Sequence, residues 1–205
     1  MFKSTDCVLI MGTRGTGKSF LCQRLQSLWP RRIVFDALDE YSQGEHVYSF
    51  DDFAALLIEK DKSAQKEFLI VVKFDPEMEQ TEHEIENMLR VAYYFGNVQI
   101  ILEEVQFFST VHRLPKWLKN CLLTGRHQNV SLMFTTQRPG ELNKTILSQC
   151  NHIFCGRIVE GNDVRYVAGF LNQSADRLSS LPDRRFLYFS AGRVLEVQNT
   201  INRLR

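Results

Sequence analysis

The residues with the clearest chemical potential form a glycine-rich stretch near the amino terminus, Gly12-Thr13-Arg14-Gly15-Thr16-Gly17-Lys18-Ser19. It fits the pattern G-x-x-x-x-G-K-[ST], the Walker A motif or P-loop. Glycines let the backbone curl so that successive N–H groups point at a phosphate. In such a loop Lys18 reaches the β- and γ-phosphates, and Ser19 can hold Mg²⁺. The stretch therefore predicts a site for a nucleoside triphosphate.

The segments on either side of the loop have the patterns needed to position it. The apolar run at residues 7–11 predicts a buried strand, and Leu21, Leu25 and Leu28 recur at helical spacing. The start of that helix adds the positive end of its dipole beside the phosphates. We therefore expect a strand, the loop and a helix, with a nucleotide-binding set of Gly12, Thr13, Arg14, Gly15, Thr16, Gly17, Lys18, Ser19 and Phe20.

Length and composition indicate one α/β domain covering residues 1–205, with 44% hydrophobic and 24% charged residues. No apolar run approaches the roughly 20 residues of a membrane helix, and residues 1–6 lead directly into the first strand, so we expect no signal peptide. The net charge of +1 gives no overall basic field. Any contact with nucleic acid would be local or would come from several subunits together.

The cysteines and histidines do not suggest a metal site. No cysteine pair forms C-x-x-C, and no histidine lies at ligand spacing from a cysteine. Two of the cysteines lie in apolar, strand-like runs. We therefore expect reduced, buried thiols at Cys7, Cys22, Cys121, Cys150 and Cys155.

Strands alternate with helices along the chain. Strands are predicted at residues 7–11, 31–36, 67–74, 97–102, 130–136, 152–156, 185–190 and 194–198. Helices are predicted at residues 19–28, 51–60, 77–95, 115–127, 163–171 and 174–181. The alternation predicts an α/β fold with a mostly parallel sheet and helices on both faces, and the closing hairpin would extend or cap that sheet. Residues 67–74 fit a central strand buried on both faces.

Two acidic residues, Glu103 and Glu104, come directly after the strand at 97–102. In a P-loop enzyme one carboxylate at such a strand end faces Mg²⁺, usually through water, and another polarises the attacking water. The alternative is an ordinary strand that ends in a solvated acidic turn. With a P-loop upstream, the pair indicates phosphoryl-transfer chemistry.

Further polar residues also follow strands. Asp36 ends the second strand, and Gln137 follows the strand at 130–136. In parallel sheets ligands bind at the carboxyl ends of the strands. We therefore expect these two residues, the P-loop and the two glutamates at one rim. For Gln137 the alternative is a polar cap of its own strand.

Taken together, three stretches resemble the FtsK–HerA superfamily of RecA-like ring ATPases, which pump DNA. They are the P-loop, the strand ending in Glu103-Glu104, and residues 125–139, whose Thr-Gln-Arg-Pro ending is the most specific part. Residues 35–36 and 40–42 also resemble the second-strand region of HerA-type proteins. The resemblance spans roughly residues 7 to 157. A motor core of this size, without membrane segments, is similar to the genome-packaging ATPases of membrane-containing viruses with double jelly-roll capsids.

The resemblance implies a role for each matching residue. Lys18 and Ser19 would serve the phosphates and Mg²⁺, and Glu103 would be the Mg²⁺-associated acid, where many P-loop proteins have aspartate. Glu104, ending the Walker B strand, would be the catalytic base. Gln137 would sense the γ-phosphate.

Ring ATPases of this type complete their site with an arginine from the next subunit, which stabilises charge on the transferring phosphoryl group. Arg126, ahead of the strand at 130–136, is the first candidate for this trans finger. Arg138, Arg157 and Arg165 are rivals, and each could equally be an ordinary surface arginine.

The segment that joins the strand at 97–102 to the next helix is a candidate for gripping DNA. Residues 106–116 place aromatic side chains among basic ones, and Arg113 and Lys116 are the candidate DNA contacts. The alternative is that Phe107 and Phe108 belong to the core. A second basic stretch near the carboxyl terminus could face DNA or a neighbouring subunit; its arginines are Arg184, Arg185, Arg193, Arg203 and Arg205.

The resemblance implies an ATP-driven double-stranded DNA translocase that needs ATP and Mg²⁺, forms a homomeric ring, by resemblance a hexamer, and packages a viral genome. Capsid or portal vertex proteins would be its partners, in the host cytoplasm or at the packaging vertex of the virion. One alternative is a cellular or plasmid HerA-like DNA motor. Another is a nucleotide-gated assembly ATPase for capsid or secretion.

Overall fold

The fold is seen in a computed structural model that describes residues 2–75 and 81–198. Its strands are β1 (Cys7–Met11), β2 (Arg31–Asp36), β3 (Glu45–Val47), β4 (Phe68–Lys73), β5 (Gln99–Leu102), β6 (Ser131–Thr136), β7 (His152–Cys155), β8 (Arg185–Ser190) and β9 (Arg193–Gln198). Its helices are α1 (Lys18–Gln26), α2 (Phe50–Lys62), α3 (Thr81–Phe95), α4 (Lys116–Thr124), α5 (Lys144–Gln149), α6 (Gly161–Leu171) and α7 (Ala175–Ser179).

Within the described residues the strands form one sheet of nine, in the order β3-β4-β2-β5-β6-β1-β7-β8-β9. The first seven in that order are parallel, whereas β8 and β9 are antiparallel. The α/β fold with a mostly parallel sheet is therefore confirmed, and the closing hairpin extends the sheet beyond β7. Strand β1 lies between β6 and β7, so the loop after it opens at the middle of one rim.

Alternation of side chains along the strands produces two cores. On β1, Leu9 and Met11 point to the face covered by α2 to α7, and Val8 and Ile10 point to the face covered by α1. All four side chains are fully buried. Strands covered on both faces become continuous apolar runs, which is why the sequence shows them so clearly.

Some elements differ from the sequence prediction. The strand at 67–74, observed as β4, lies one position from the edge rather than at the centre, because the short strand β3 is its outer neighbour. Neither β3 nor α5 was predicted, since three and six residues are too few for a periodic pattern. The helix predicted at 115–127 ends as α4 at Thr124 and continues as a 3₁₀ turn at Gly125–Gln128.

The helix predicted at 77–95 is observed as α3 from Thr81, and residues 77–80 lie outside the described part of the chain. Its inner stripe is as expected, because Ile85, Met88 and Leu89 are buried in the core. None of the helices that the structure describes is long and apolar enough to cross a membrane.

The five cysteines are free thiols. Cys22, Cys121 and Cys155 are buried, as expected. Cys7 and Cys150 are half-buried, with their sulfur atoms 3.1 Å apart. The expectation of buried thiols therefore holds for three of the five, and is wrong for the two that meet where β1 begins and α5 ends.

Candidate nucleotide-binding site

The P-loop joins the end of β1 to the start of α1. Gly15 and Gly17 have φ angles of 84° and 88°, which only glycine adopts readily. At Gly12, a Cβ atom would lie 3.0 Å from Thr16 Oγ1 and 3.3 Å from the Gly156 Cα. The glycines therefore permit both the curl of the loop and its close approach to the chain after β7. Helix α1 begins at Lys18 without a side-chain cap, so its start can receive an anion.

Lys18 lies between the loop and the acidic side of the site. Its ammonium is 3.4 Å from the Thr13 carbonyl and 3.9 Å from Glu104 Oε1, and its side chain is only 6% exposed. Burial lowers the pKa of Lys18, while the charge of Glu104 opposes that shift. The lysine is thus a buried cation with a carboxylate close by, placed where phosphate oxygens would meet the loop.

Glu104 is held by two amide side chains. Gln137 donates from its backbone N–H to Oε2 at 2.9 Å and from Nε2 to Oε1 at 2.8 Å. Gln106 donates from Nε2 to Oε2 at 2.7 Å. The backbone N–H of Glu104 donates to Thr135 Oγ1 at 2.9 Å, and its φ of 49° is left-handed. The carboxylate is therefore fixed in position and direction, as a general base must be.

Gln106 was not singled out by sequence reasoning. Thr136 Oγ1 donates to its Oε1 at 2.9 Å, so the amide has its oxygen towards Thr136 and its nitrogen towards Glu104. Thr136 Oγ1 in turn accepts from the Arg138 backbone N–H at 3.0 Å. The signal that could have revealed Gln106 is its position two residues after the acid, in a turn that folds back on the strand end.

Glu103 lies beneath the site rather than in it, with 1% of its surface exposed. Tyr41 donates its phenolic O–H to Oε1 at 3.0 Å. Burial is the main cause that raises the pKa of Glu103 to about 8, and the negative charge of Glu40 raises it further. The two acids that follow β5 therefore differ in environment, because Glu104 faces the cleft and Glu103 faces the core under α1.

Magnesium ions bind oxygen atoms of carboxylates, hydroxyls, phosphates and water. The Ser19 hydroxyl lines the cleft, and a dication close to Glu103 would favour the charged form of that buried acid. In the described part of the chain, no three His, Cys, Asp or Glu side chains are grouped closely enough to hold a metal by themselves. The residues fit a Mg²⁺ ion that is held jointly with nucleotide phosphates and water.

The loop after β2 is fixed by Lys73. Its ammonium contacts Asp36 Oδ2 at 2.6 Å, Asp39 Oδ1 at 2.5 Å and the Tyr41 carbonyl at 2.9 Å. Asp36 also accepts the backbone N–H groups of Glu40 and Tyr41 at 3.1 and 2.9 Å. Asp36 is thus at the expected rim, but its carboxylate is used to shape this loop.

The cleft above the P-loop has a volume of about 720 Å³. The residues that line it are Arg14, Gly15, Gly17, Lys18, Ser19, Phe20, Leu38, Glu40, Glu104, Gln137 and Arg184. The structure thereby brings most of the predicted P-loop set together with Glu104 and Gln137. The sequence predicted no role in the cleft for Glu40. It reaches the cleft because Lys73 holds the loop that contains it, through Asp36, Asp39 and Tyr41.

Arg184 belongs to the basic stretch near the carboxyl terminus, which by its composition could face DNA or a neighbouring subunit. In the structure Arg184 lines the cleft of its own chain. Its backbone N–H donates to the Thr16 carbonyl at 3.1 Å. No local sequence pattern predicts this contact, because 168 positions separate the two residues. Arg203 and Arg205 lie outside the described residues.

The candidate trans arginines lie elsewhere. Arg126 is exposed in the 3₁₀ turn ahead of β6, whereas Gln137 follows the other end of that strand, so about 20 Å of strand separates them. Arg138 and Arg165 are exposed, and Arg157 pairs with Asp183 at 2.8 Å. In its own chain Arg126 is therefore far from Glu104.

The candidate DNA-contact segment follows β5. Arg113 pairs with Glu82 of α3, and Lys116 begins α4 with its ammonium 5.8 Å from the Trp117 ring centre. Phe108 is a core residue, 7% exposed, whereas Phe107 is 45% exposed. The alternative of a purely structural role therefore applies to Phe108 and not to Phe107.

No family model matches the chain. It is 25% identical over 185 residues to protein P9 of Pseudoalteromonas phage PM2, covering 88% of this chain and 83% of that protein. It is also 37% identical over 87 residues to a probable helicase of Methanocaldococcus jannaschii, which is 40% of this chain but 17% of the helicase.

Solved structures share the fold. The genome-packaging NTPase B204 of Sulfolobus turreted icosahedral virus 2, in complex with AMP, aligns with a TM-score of 0.74 at 18% identity over 96% of this chain and 98% of that chain. B204 of Sulfolobus turreted icosahedral virus, a DNA-packaging ATPase, aligns with a TM-score of 0.68 at 20% identity, over 97% of this chain and 98% of that chain. VirB4 of Thermoanaerobacter pseudethanolicus aligns with a TM-score of 0.65 at 11% identity, over 93% of this chain and 88% of that chain. The chain therefore has the fold of the viral genome-packaging NTPases, as its resemblance to P-loop ATPases of this kind predicted.

Proposed function

We propose that the protein is an ATPase that drives double-stranded DNA into a viral particle. The observation that carries the hydrolytic part is the meeting of Lys18, Glu104 and Gln137 in one cleft at the end of the P-loop. The coupling to DNA rests on the fold shared with packaging NTPases and on the 25% identity to a phage protein. Residues 1–205 act as a single RecA-like unit in this proposal.

The residues divide the chemistry among them. The backbone of the P-loop and Lys18 bind the β- and γ-phosphates. Glu104 accepts a hydrogen bond from the attacking water and directs it in line with the γ-phosphorus. Ser19 would hold Mg²⁺ directly, and Glu103, which lies beneath the cleft, would support the ion through water; Mg²⁺ would neutralise charge on the phosphates when bound.

The side-chain amide of Gln137 can donate its hydrogen bond to either of two acceptors. Its Nε2 donates to Glu104 Oε1, and the same group can instead donate to a γ-phosphate oxygen. Because the backbone N–H of Gln137 also contacts Glu104, a shift of the side chain would leave the base in place. The amide therefore connects the presence of the γ-phosphate with the hydrogen bonding of the base.

We propose a homomeric ring, a hexamer by resemblance, in which Arg126 of one subunit stabilises the phosphoryl group held by the next. Arg113 and Lys116 lie on the segment after β5 and would contact the DNA backbone. Capsid or portal proteins would complete the machine, in the host cytoplasm or at the packaging vertex of the virion.

A second candidate is a cellular HerA-like DNA motor. It is favoured by the 37% identity to a probable helicase, although that match covers 87 residues. A nucleotide-gated assembly ATPase, the third alternative, would use the same cleft without moving DNA. The fixed position of Glu104 favours turnover over pure gating.

The test is the ATPase rate of the full chain with and without long duplex DNA. Stimulation by duplexes of increasing length, absent with Lys18→Ala, supports a DNA motor. ATPase activity that is indifferent to DNA favours the assembly ATPase. No nucleotide turnover under any condition contradicts the proposal as a whole.

A further inference from the structure

Arg184 precedes β8 and lines the nucleotide cleft. Its backbone N–H donates to the Thr16 carbonyl of the P-loop at 3.1 Å. Its φ angle is 61°, in the left-handed region where glycine is favoured over a bulky side chain. A residue that keeps a long charged side chain in this conformation, at a cleft, is a candidate for function.

The surroundings hold this segment firmly against the loop. Asp183 pairs with Arg157 at 2.8 Å, and the Arg157 carbonyl accepts the Thr13 backbone N–H at 2.8 Å and its hydroxyl at 3.1 Å. A Cβ atom at Gly156 would lie 3.3 Å from Thr16 and 3.1 Å from the ring of Phe186. The outer side of the P-loop is therefore packed on the end of β7 and the start of β8.

The order of strands separates two ends of the cleft. Glu104 and Gln137 follow β5 and β6, on one side of β1, and these groups face the γ-phosphate in the proposed function. Arg184 precedes β8, on the other side of β1. A nucleotide with its γ-phosphate beside Glu104 would therefore have its α-phosphate and nucleoside towards Arg184.

The charges of the cleft agree with this arrangement. Glu104 is held by Gln106 and Gln137 and lies near Lys18. Among the residues that the structure describes, no carboxylate pairs with the guanidinium of Arg184. Guanidinium groups form strong charge-assisted hydrogen bonds to phosphate. A phosphate group of the nucleotide is the anion that the cleft is expected to receive.

We propose that Arg184 binds the nucleotide of its own subunit, at the α-phosphate and nucleoside end. This inference rests on the proposed nucleotide site. Arg184 would act in cis, within its own chain, whereas the candidate finger Arg126 would act in trans.

The test uses Arg184→Gly, because glycine fits the observed backbone angle and should leave the fold intact. The matched control is Arg185→Ala. Arg185 is the next residue along the chain, and its side chain does not line the cleft. Affinities of the full chain for AMP and for ATP-γS are measured by calorimetry, and melting temperatures are measured alongside. Arg184→Gly should bind both nucleotides about tenfold more weakly at an unchanged or higher melting temperature, and Arg184→Lys should recover part of the loss.

Each other outcome is decisive. Unchanged affinity in Arg184→Gly overturns the inference, as does an equal loss in Arg185→Ala. A loss for ATP-γS with AMP unaffected places the guanidinium at the γ-phosphate end and overturns the assignment. If the wild-type chain binds neither nucleotide, or if Lys18→Ala binds ATP-γS as tightly as wild type, the proposed function itself fails.

Discussion

Gln137 contacts both oxygens of the Glu104 carboxylate, through its backbone N–H at 2.9 Å and its side-chain amide at 2.8 Å. The two residues follow neighbouring parallel strands, β5 and β6, whose ends meet at the same rim. A carboxylate held by two donors from one residue has little freedom to rotate. The pair therefore sets the direction in which Glu104 can accept a proton or orient a water molecule.

The first prediction concerns Glu104 itself. Glu104→Gln keeps the shape of the side chain but removes its basicity, so the variant should bind ATP and hydrolyse it about 10² to 10⁴ times more slowly. Binding is measured with a fluorescent ATP analogue and turnover by phosphate release. Turnover at the wild-type rate would assign the base to another residue.

Gln106 should act by positioning Glu104. Gln106→Ala removes one donor to the carboxylate and leaves the P-loop untouched, so we expect kcat to fall by about tenfold with little change in KM. Gln106→Glu provides a contrast, because it places a second negative charge beside Glu104 and should reduce kcat further. A change in KM alone would show that Gln106 does not act through the base.

Lys73 should stabilise the fold through the loop after β2. Lys73→Met leaves the buried carboxylate of Asp36 without its cation, and breaking a buried pair typically costs about 3 to 5 kcal/mol. The double variant Asp36→Asn with Lys73→Met should lose less stability than Lys73→Met alone, since no unpaired charge remains. Urea denaturation of the single and double variants measures both values, and equal losses would show that the pair is not the cause.

The trans role of Arg126 is tested by mixing subunits. An Arg126→Ala subunit keeps an intact P-loop, and a Lys18→Ala subunit keeps an intact finger. If the arginine acts across an interface, a mixture should recover part of the ATPase activity that each variant lacks alone. Absence of recovery at every mixing ratio, in samples whose assembly is verified by light scattering, would count against Arg126.

Phe107 and Phe108 form a matched pair for the segment after β5. Phe108 packs against Phe35 and Phe74 with ring centres 6.1 and 5.3 Å away, so Phe108→Ala should lower the free energy of unfolding by about 3 to 5 kcal/mol. The exposed Phe107 should change stability by less than about 0.5 kcal/mol when replaced by alanine. If this segment grips DNA, Phe107→Ala should also reduce the stimulation of ATPase activity by duplex DNA. Unaltered stimulation would leave Phe107 without a DNA role.

Sequence patterns predicted the strands that are buried on both faces, because long apolar runs reflect burial directly. They missed β3 and α5, which are short and depend on neighbours for their stability. They also placed β4 at the centre of the sheet. A strand that lies second from the edge of a sheet, but is covered by helices on both faces, has the same apolar composition as a central strand. The order of the strands therefore cannot be read from one apolar run.

Within the site, the sequence predicts a phosphate-binding loop, because Gly15 and Gly17 meet the positive φ angles of the turn and Lys18 follows them directly. It also placed Glu104 and Gln137 at strand ends that a parallel sheet must bring to one rim. Long-range packing of the chain decides which side chains fill the space between them. Gln106 reaches Glu104 because the chain turns sharply after β5, and Glu40 reaches the cleft because Lys73 holds its loop.

Arg184 is the clearest case of what the sequence could not determine. Its residue type suggested a basic surface, whereas its contact with Thr16 arises from the pairing of β8 with β7 and of β7 with β1. Such contacts depend on which strands become neighbours, and a linear pattern does not record that choice. The local motif thus specified what can be bound, and the long-range pairing of strands decided which residues surround it.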